Sequence, residues 1–181
     1  SANSSLAQVD NMRRMFGGTA FNQPIGDWIV SSVTDMSGMF ANTLFNQDIS
    51  GWNVSSVTDM SNMFRETPFN QDISIWDVSS VTDMSFMFFR SDFDQDIGPW
   101  PINSVTTMED MLTNNSGTGI LSNANYDATL QGWADEAQNG GDVQMNVTLD
   151  AGTDVTTTTT AGSDARDFLI NNRGWTINDG N

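Results

Sequence analysis

The chain has 181 residues, the size of one domain, and a formal net charge of −17: six arginines stand against 23 carboxylates, with no histidine, cysteine or lysine. This composition excludes disulfide support and thiol chemistry, leaves serine triads without their usual base and zinc without its usual ligands, and repels nucleic acid and anionic lipid. No apolar run approaches the roughly 20 residues that span a bilayer, so neither a nucleic-acid partner nor membrane insertion is expected.

Ser1–Gln8 has neither the charged nor the apolar region of a signal peptide. Val9–Phe16 then introduces a motif that recurs along the chain. Phe21, Phe45, Phe69 and Phe93 are spaced by 24 residues, as are Trp28, Trp52, Trp76 and Trp100. Val9 through Val105, Met12 through Met108 and Met15 through Met111 form three more columns at the same spacing, and ten of the eleven methionines fall in the last two. A unit this short cannot bury its apolar face alone, so the copies must stack, each column becoming a file of equivalent residues.

Within each unit VTDMSxMF places Val33, Met36, Met39 and Phe40 at helical spacing, which predicts a short helix capped by Ser32 or Thr34. DISGWNV alternates, with Trp52 and Val54 on one face and Gly51 and Asn53 on the other, which predicts one short strand per unit in a parallel sheet. The Asn22, Asn46 and Asn70 column is read as a hydrogen-bond ladder, because backbone in a tight turn needs internal partners. The first unit lacks its strand half. That predicts either a preceding segment or coverage by Ser1–Gln8, and suggests a module cut from a longer, monomeric chain. The last unit decays: Pro99 and Pro101 flank Trp100, Thr107 replaces the Asp of VTDM, and Leu112 replaces the column phenylalanine.

Residues 1–116 are therefore the repeat array, and 117–181 a C-terminal capping segment in the same folding unit. In that segment Tyr126, Leu130, Trp133 and Ala137 predict an amphipathic helix over 125–137. Val143, Met145, Val147 and Leu149 alternate as a strand. Ser163 is placed as the cap of a second helix that runs to Asn172 and ends at Gly174. Trp175 and Ile177 suit a final strand. The fold class expected is α/β: a short right-handed leucine-rich-repeat-like solenoid with one strand per repeat and an α/β cap.

The unit FNQDISxWDVSSVTDMSxMF resembles the BspA-type leucine-rich-repeat proteins of bacterial surfaces. The tail ANYDATLQGWA…VTLDAG…ARDFLINNRGWTINDG resembles the segment that often follows such repeats. The resemblance implies a right-handed α/β solenoid, a secreted or surface location, and association with adhesion to host proteins or other cells. It concerns mostly core columns, so it speaks to fold more than to ligand.

Without His, Cys or Lys, a hydrolase would have to rely on carboxylate pairs, as glycosidases do. The carboxylates here fall in columns, Asp35/Asp59/Asp83 and Asp48/Asp72/Asp96, which fits turn residues used once per unit. Like charges stacked about 4.8 Å apart repel. These carboxylates must therefore accept backbone N–H groups or share a cation. Calcium is the candidate ion, with Asp94, Asp96, Asp150 and Asp154 as ligands. No other cofactor is expected.

Ligand specificity must sit where the copies differ. The outward positions Asp27, Gly51 and Ile75, beside Ile29, Asn53 and Asp77, form the candidate ligand-binding patch. A second variable patch comprises Asn42–Leu44, Arg65–Pro68 and Phe89–Asp92, with Phe86 and Phe89 as extra aromatics. The leading expectation is a non-catalytic, extracellular or cell-surface adhesin module that binds protein, peptide or glycan on a target cell. A structural spacer is the alternative, and a carboxylate-based glycan-processing enzyme the third reading.

Overall fold

The computed structural model describes residues 9–114, 117, 119–141 and 143–181. It is a mixed α/β structure in which α1 (Asn123–Gln138), β1 (Thr148–Gly152), α2 (Thr160–Arg173) and β2 (Thr176–Asp179) all follow the repeats. β1 and β2 pair in parallel, Leu149 opposite Ile177. No helix among the described residues is long and apolar enough to cross a membrane.

The repeats stack in a 24-residue register. Parallel bridges join Asn11 to Asp35, Asp35 to Asp59, Asp59 to Asp83 and Asp83 to Thr107. Two files of phenylalanine run through the core. Within a unit Phe40 lies on Phe45 at 3.9 Å and Phe64 on Phe69 at 4.0 Å, while between units Phe40 meets Phe64 at 5.7 Å and Phe45 meets Phe69 at 6.1 Å. Each such pair adds about 1 kcal/mol beyond area burial. The valine and methionine columns fill the rest, with Val57, Met60 and Met63 fully buried. At the N-terminal end the same positions are covered less: Val9, Phe16, Phe21 and Trp28 are only partly buried. The expectation that Ser1–Gln8 closes this end lies outside the described residues.

The expected helix does not form in the repeats. Met39 N–H bonds to Met36 O at 3.1 Å and Gly38 takes φ 62°, which makes Met36–Met39 a turn with a left-handed third residue. The equivalent Arg14, Asn62, Phe86 and Asp110 also have positive φ. A type II turn places i and i+3 side by side much as a helix does, and that explains the misleading methionine spacing. The turn turns its other N–H groups outward along the stack: Gly38 donates to Ser61 O at 2.8 Å and Phe40 to Met63 O at 3.0 Å.

The expected strand per repeat is also replaced, by two consecutive turns. Trp52 N–H bonds to Ile49 O and Val57 N–H to Val54 O. Asp48 accepts the Ser50 N–H at 2.9 Å and Asn53 the Ser55 N–H at 3.1 Å, so short polar side chains close the backbone locally. The alternation itself is real, since Trp52 and Val54 are buried and Gly51 and Asn53 exposed.

The asparagine ladder is present. Asn22 Oδ1 accepts the Asn46 N–H at 3.0 Å and the Gln47 amide at 2.9 Å, and Asn46 repeats this toward Asn70 and Gln71. Each indole also donates to the preceding unit: Trp52 to Ile25 O, Trp76 to Ile49 O and Trp100 to Ile73 O.

The C-terminal segment takes the seats of a further unit. Trp133 of α1 donates to Ile97 O at 3.1 Å, continuing the indole column. Asp94, where earlier units have Asn, accepts the Ser122 N–H at 2.7 Å and the Asn125 amide at 2.8 Å. The last turn's donors end on Asp150, whose Oδ2 takes the Asp110 N–H at 3.0 Å and whose carbonyl takes Leu112 N–H at 3.2 Å. α1 comes this close because two glycines cross: a Cβ on Gly132 would lie 2.6 Å from Gly98 Cα. Thr159, not Ser163, caps α2, accepting from Gly162 N–H, and Gly174 ends the helix at φ 68°. β1 begins at Thr148, later than the alternation from Val143 predicts.

Candidate binding surfaces

The six patch residues stay outside the core, Asp27, Gly51 and Ile75 in turns and Ile29, Asn53 and Asp77 in the links between turns rather than on a strand. Asp27, Ile29, Gly51, Asn53, Ile75 and Asp77 are all exposed, Ile75 at 75%. The 24-residue register stacks Asp27, Gly51 and Ile75 in one column and Ile29, Asn53 and Asp77 in the next. A depression of about 270 Å³ beside them is lined by Asp48, Ser50, Gln71, Asp72 and Ile75. Asp48 and Asp72 are held below the ordinary carboxylate range by the backbone N–H groups and hydroxyls of Ser50 and Ser74. Turn geometry thus favours the ionised form of these two carboxylates.

The proposed calcium ligands do not converge. Among the described residues no group of three or more carboxylates is placed to hold a metal ion. Asp94 is engaged by Ser122 and Asn125, and Asp96 by Gly98 N–H at 2.8 Å. Asp150 takes Asp110 and Asn178, and Asp154 takes the Gly119 N–H. Each of these side chains accepts hydrogen bonds from the fold, which relieve its charge. The Asp35, Asp59 and Asp83 column is relieved the same way, each accepting the N–H of the serine two residues on.

A pocket of about 380 Å³ opens where α1 meets the last repeat, lined by Asp96, Gly98, Pro99, Pro101, Gly132 and Glu136. Burial raises the Glu136 carboxyl above its ordinary range, and the Ile102 N–H offsets this in part. The prolines that break the repeat pattern thus line a cleft. Nothing in the sequence ties Glu136 to Asp96, 40 positions away.

The extra aromatics of the second patch are packing residues. Phe86 and Phe89 meet edge to face at 5.6 Å, and the Arg65 guanidinium lies over the Phe89 ring at 5.4 Å. Glu66 bonds Arg90 at 2.8 Å and Arg65 at 3.4 Å.

A buried ion pair sits in the cap. Asp179, its side chain fully buried, accepts Tyr126 Oη at 2.6 Å and Arg166 Nε and Nη2 at 2.8 Å each. Burial pushes the Asp179 carboxyl up, but Arg166, Tyr126 and Asn181 together outweigh it and hold the group below its ordinary value. Burial first, and Asp179 next, push the Tyr126 phenol up, so it remains a neutral donor. The network ties α1, α2 and β2 together and faces no pocket described above.

Residues 3–89 match the family described as a Mycoplasma protein of unknown function, DUF285. That span covers the first repeats and none of the capping segment. No curated protein matches the chain. No solved structure matches it either.

Proposed function

We propose that this chain is a non-catalytic ligand-binding module of a bacterial cell-surface or secreted adhesin, its repeats forming a short right-handed solenoid closed by an α/β cap. It recognises protein, peptide or glycan on a target cell through the stacked turn columns. One observation carries the reading. Buried columns are nearly invariant between units, whereas the exposed positions 27/51/75 and 29/53/77 differ in every unit and lie side by side. Core packing does not constrain these positions, so they are where the units differ in the chemistry they present to a ligand. The resemblance of the repeat to surface proteins supports the setting.

Binding of the labelled chain to whole cells and to a glycan and peptide array tests the reading. The triple variant Asp27→Ala/Asn53→Ala/Asp77→Ala is expected to lose at least tenfold in retained binding while staying folded, its Tm lowered by the loss of the Asn53–Ser55 and Asp77–Ser79 turn bonds. Binding that survives the triple change would place recognition elsewhere.

The carboxylates Asp96 and Glu136 in the cleft under α1 favour a second reading, glycan processing, since one of them is raised toward the range of a general acid. Release of reducing sugar from polysaccharides, abolished by Glu136→Gln, would support it.

A further inference from the structure

The repeats carry four of the six arginines, Arg13, Arg14, Arg65 and Arg90, all within the segment that follows the first methionine of a unit. On a molecule of charge −17 this places positive charge at the methionine turns of three units. Two of these arginines, Arg14 and Arg65, line a pocket of about 280 Å³ that contains no carboxylate. Arg14 and Arg65 are 51 positions apart, so the pocket is made only when three units stack.

Its construction is specific. The floor is Gly17, Gly18, Gly38 and Ala41. The Arg14 side chain lies across Gly38, where a Cβ would come within 3.1 Å of Arg14 Cγ. Among the described residues the Arg14 guanidinium has no hydrogen bond or ion pair. The Arg65 guanidinium lies over the Phe89 ring at 5.4 Å, and among the described residues its only acceptor is Glu66 at 3.4 Å. Arg65 Nε is buried without a hydrogen-bond partner among the described residues. An unpaired buried donor on a cation is costly and calls for an acceptor. The pocket is completed by Asn42 and Asn62, whose side-chain amides make no hydrogen bond among the described residues.

The geometry points to a site for a carboxylate-bearing sugar, a sialic or uronic acid residue on an otherwise uncharged glycan. Planar guanidinium groups match a carboxylate with paired donors. Two free carboxamides offer both donors and acceptors to neighbouring hydroxyls. A peptide that binds by adding a strand finds no backbone donors here, because Gly18, Gly38, Asn42 and Asn62 N–H groups are all spent on the next unit. Polyanions such as nucleic acid are repelled by the net charge, whereas a single carboxylate meets the local field of the two arginines. This site is separate from the 27/51/75 columns and stands whether or not they bind a ligand.

Titration of the full chain with 3′-sialyllactose, lactose, glucuronic acid, and a short peptide with a free or amidated C-terminus tests the assignment. Sialyllactose or glucuronic acid should bind and lactose should not. Arg14→Ala and Arg65→Ala should each weaken the acidic sugar about tenfold or more, and Arg14→Lys should recover only part of it. Because Arg14 is exposed, its variant should melt as the parent does. Failure of both acidic sugars to bind at 10 mM (roughly the weakest useful single-site range), or binding unchanged by both substitutions, would overturn the site. Tighter binding of the free-carboxyl peptide than of either sugar would overturn the sugar assignment. The Asp27→Ala/Asn53→Ala/Asp77→Ala variant should bind the acidic sugars as the parent does, which keeps failure here distinct from failure of the turn-column reading.

Discussion

Gly132→Ala separates two opposite expectations for the capping helix. Alanine in a helix interior is favoured over glycine by about 1 kcal/mol, so α1 on its own should gain stability. In the structure, however, an added Cβ overlaps the Gly98 backbone, lying 2.6 Å from its Cα. Backbone atoms on both sides cannot yield, so α1 must lift from the last repeat. Lifting it stretches the Trp133–Ile97 bond of 3.1 Å, a loss of about 1 kcal/mol. It also opens a gap beneath the fully buried Trp133. Complete removal of such a side chain costs about 3–5 kcal/mol, and losing half of its contacts costs about 2. The net expectation is a destabilisation of about 2 kcal/mol, or roughly 4–8 °C in Tm for a chain of this size. Differential scanning calorimetry of the two proteins measures it. An unchanged or raised Tm would show that the glycine crossing does not set the docking distance.

Asn46→Ala should cost about 1–2 kcal/mol in urea unfolding, because the Asn70 N–H and the Gln71 amide both lose their acceptor. Asn46→Asp should cost far less, since Asp94 already serves two donors in the equivalent seat. The folded-state value of Asp179 is depressed, so its stabilisation is present above the ordinary carboxylate pKa and is lost as pH falls through the lower folded value. Asp179→Asn should therefore flatten the acid limb of a stability-versus-pH curve measured by urea unfolding. Glu136 is raised, so ionising it works against the fold as pH climbs toward neutrality. Glu136→Gln should then raise stability at pH 7 and lose that advantage near pH 4 in the same assay. Chelation with EDTA should leave Tm unchanged, because the carboxylates named for calcium are engaged by fold donors; a drop of several degrees would show a cation site.

The core was legible because identity repeats along the chain: Phe, Trp, Val and Met columns announce which atoms must be stacked, whatever backbone carries them. The backbone between them was not. Met36 and Met39 satisfy a helix and a type II turn equally, and the discriminating residue is the one just before the second methionine, where Gly38 and Asn62 tolerate positive φ. Asp48-x-Ser50 and Asn53-x-Ser55 are likewise turn signatures embedded in an alternation that reads as a strand. The cap's helices were legible from their apolar spacing, but its mimicry of a repeat was not, because Trp133 lies 33 rather than 24 residues after Trp100. Exposure of the 27/51/75 columns followed from the alternation. The Arg14–Arg65 pocket did not, since it crosses unit boundaries and the arginines occupy different columns.

The seats taken by Trp133, Asn125 and Asp150 have a consequence for how such chains can change. Apart from Gly98, which stays with the last unit, the cap takes generic features: an isoleucine carbonyl, a side-chain oxygen at the asparagine position, and two outward N–H groups. Every interior unit presents these same hydrogen-bonding features to its successor, and a change in an interior unit leaves Gly98 in place. Duplicating or deleting one 24-residue segment therefore leaves both junctions intact and alters only the reach of the array. Length becomes a heritable variable that can drift without refolding the ends, and each added unit brings a fresh set of exposed positions to be varied.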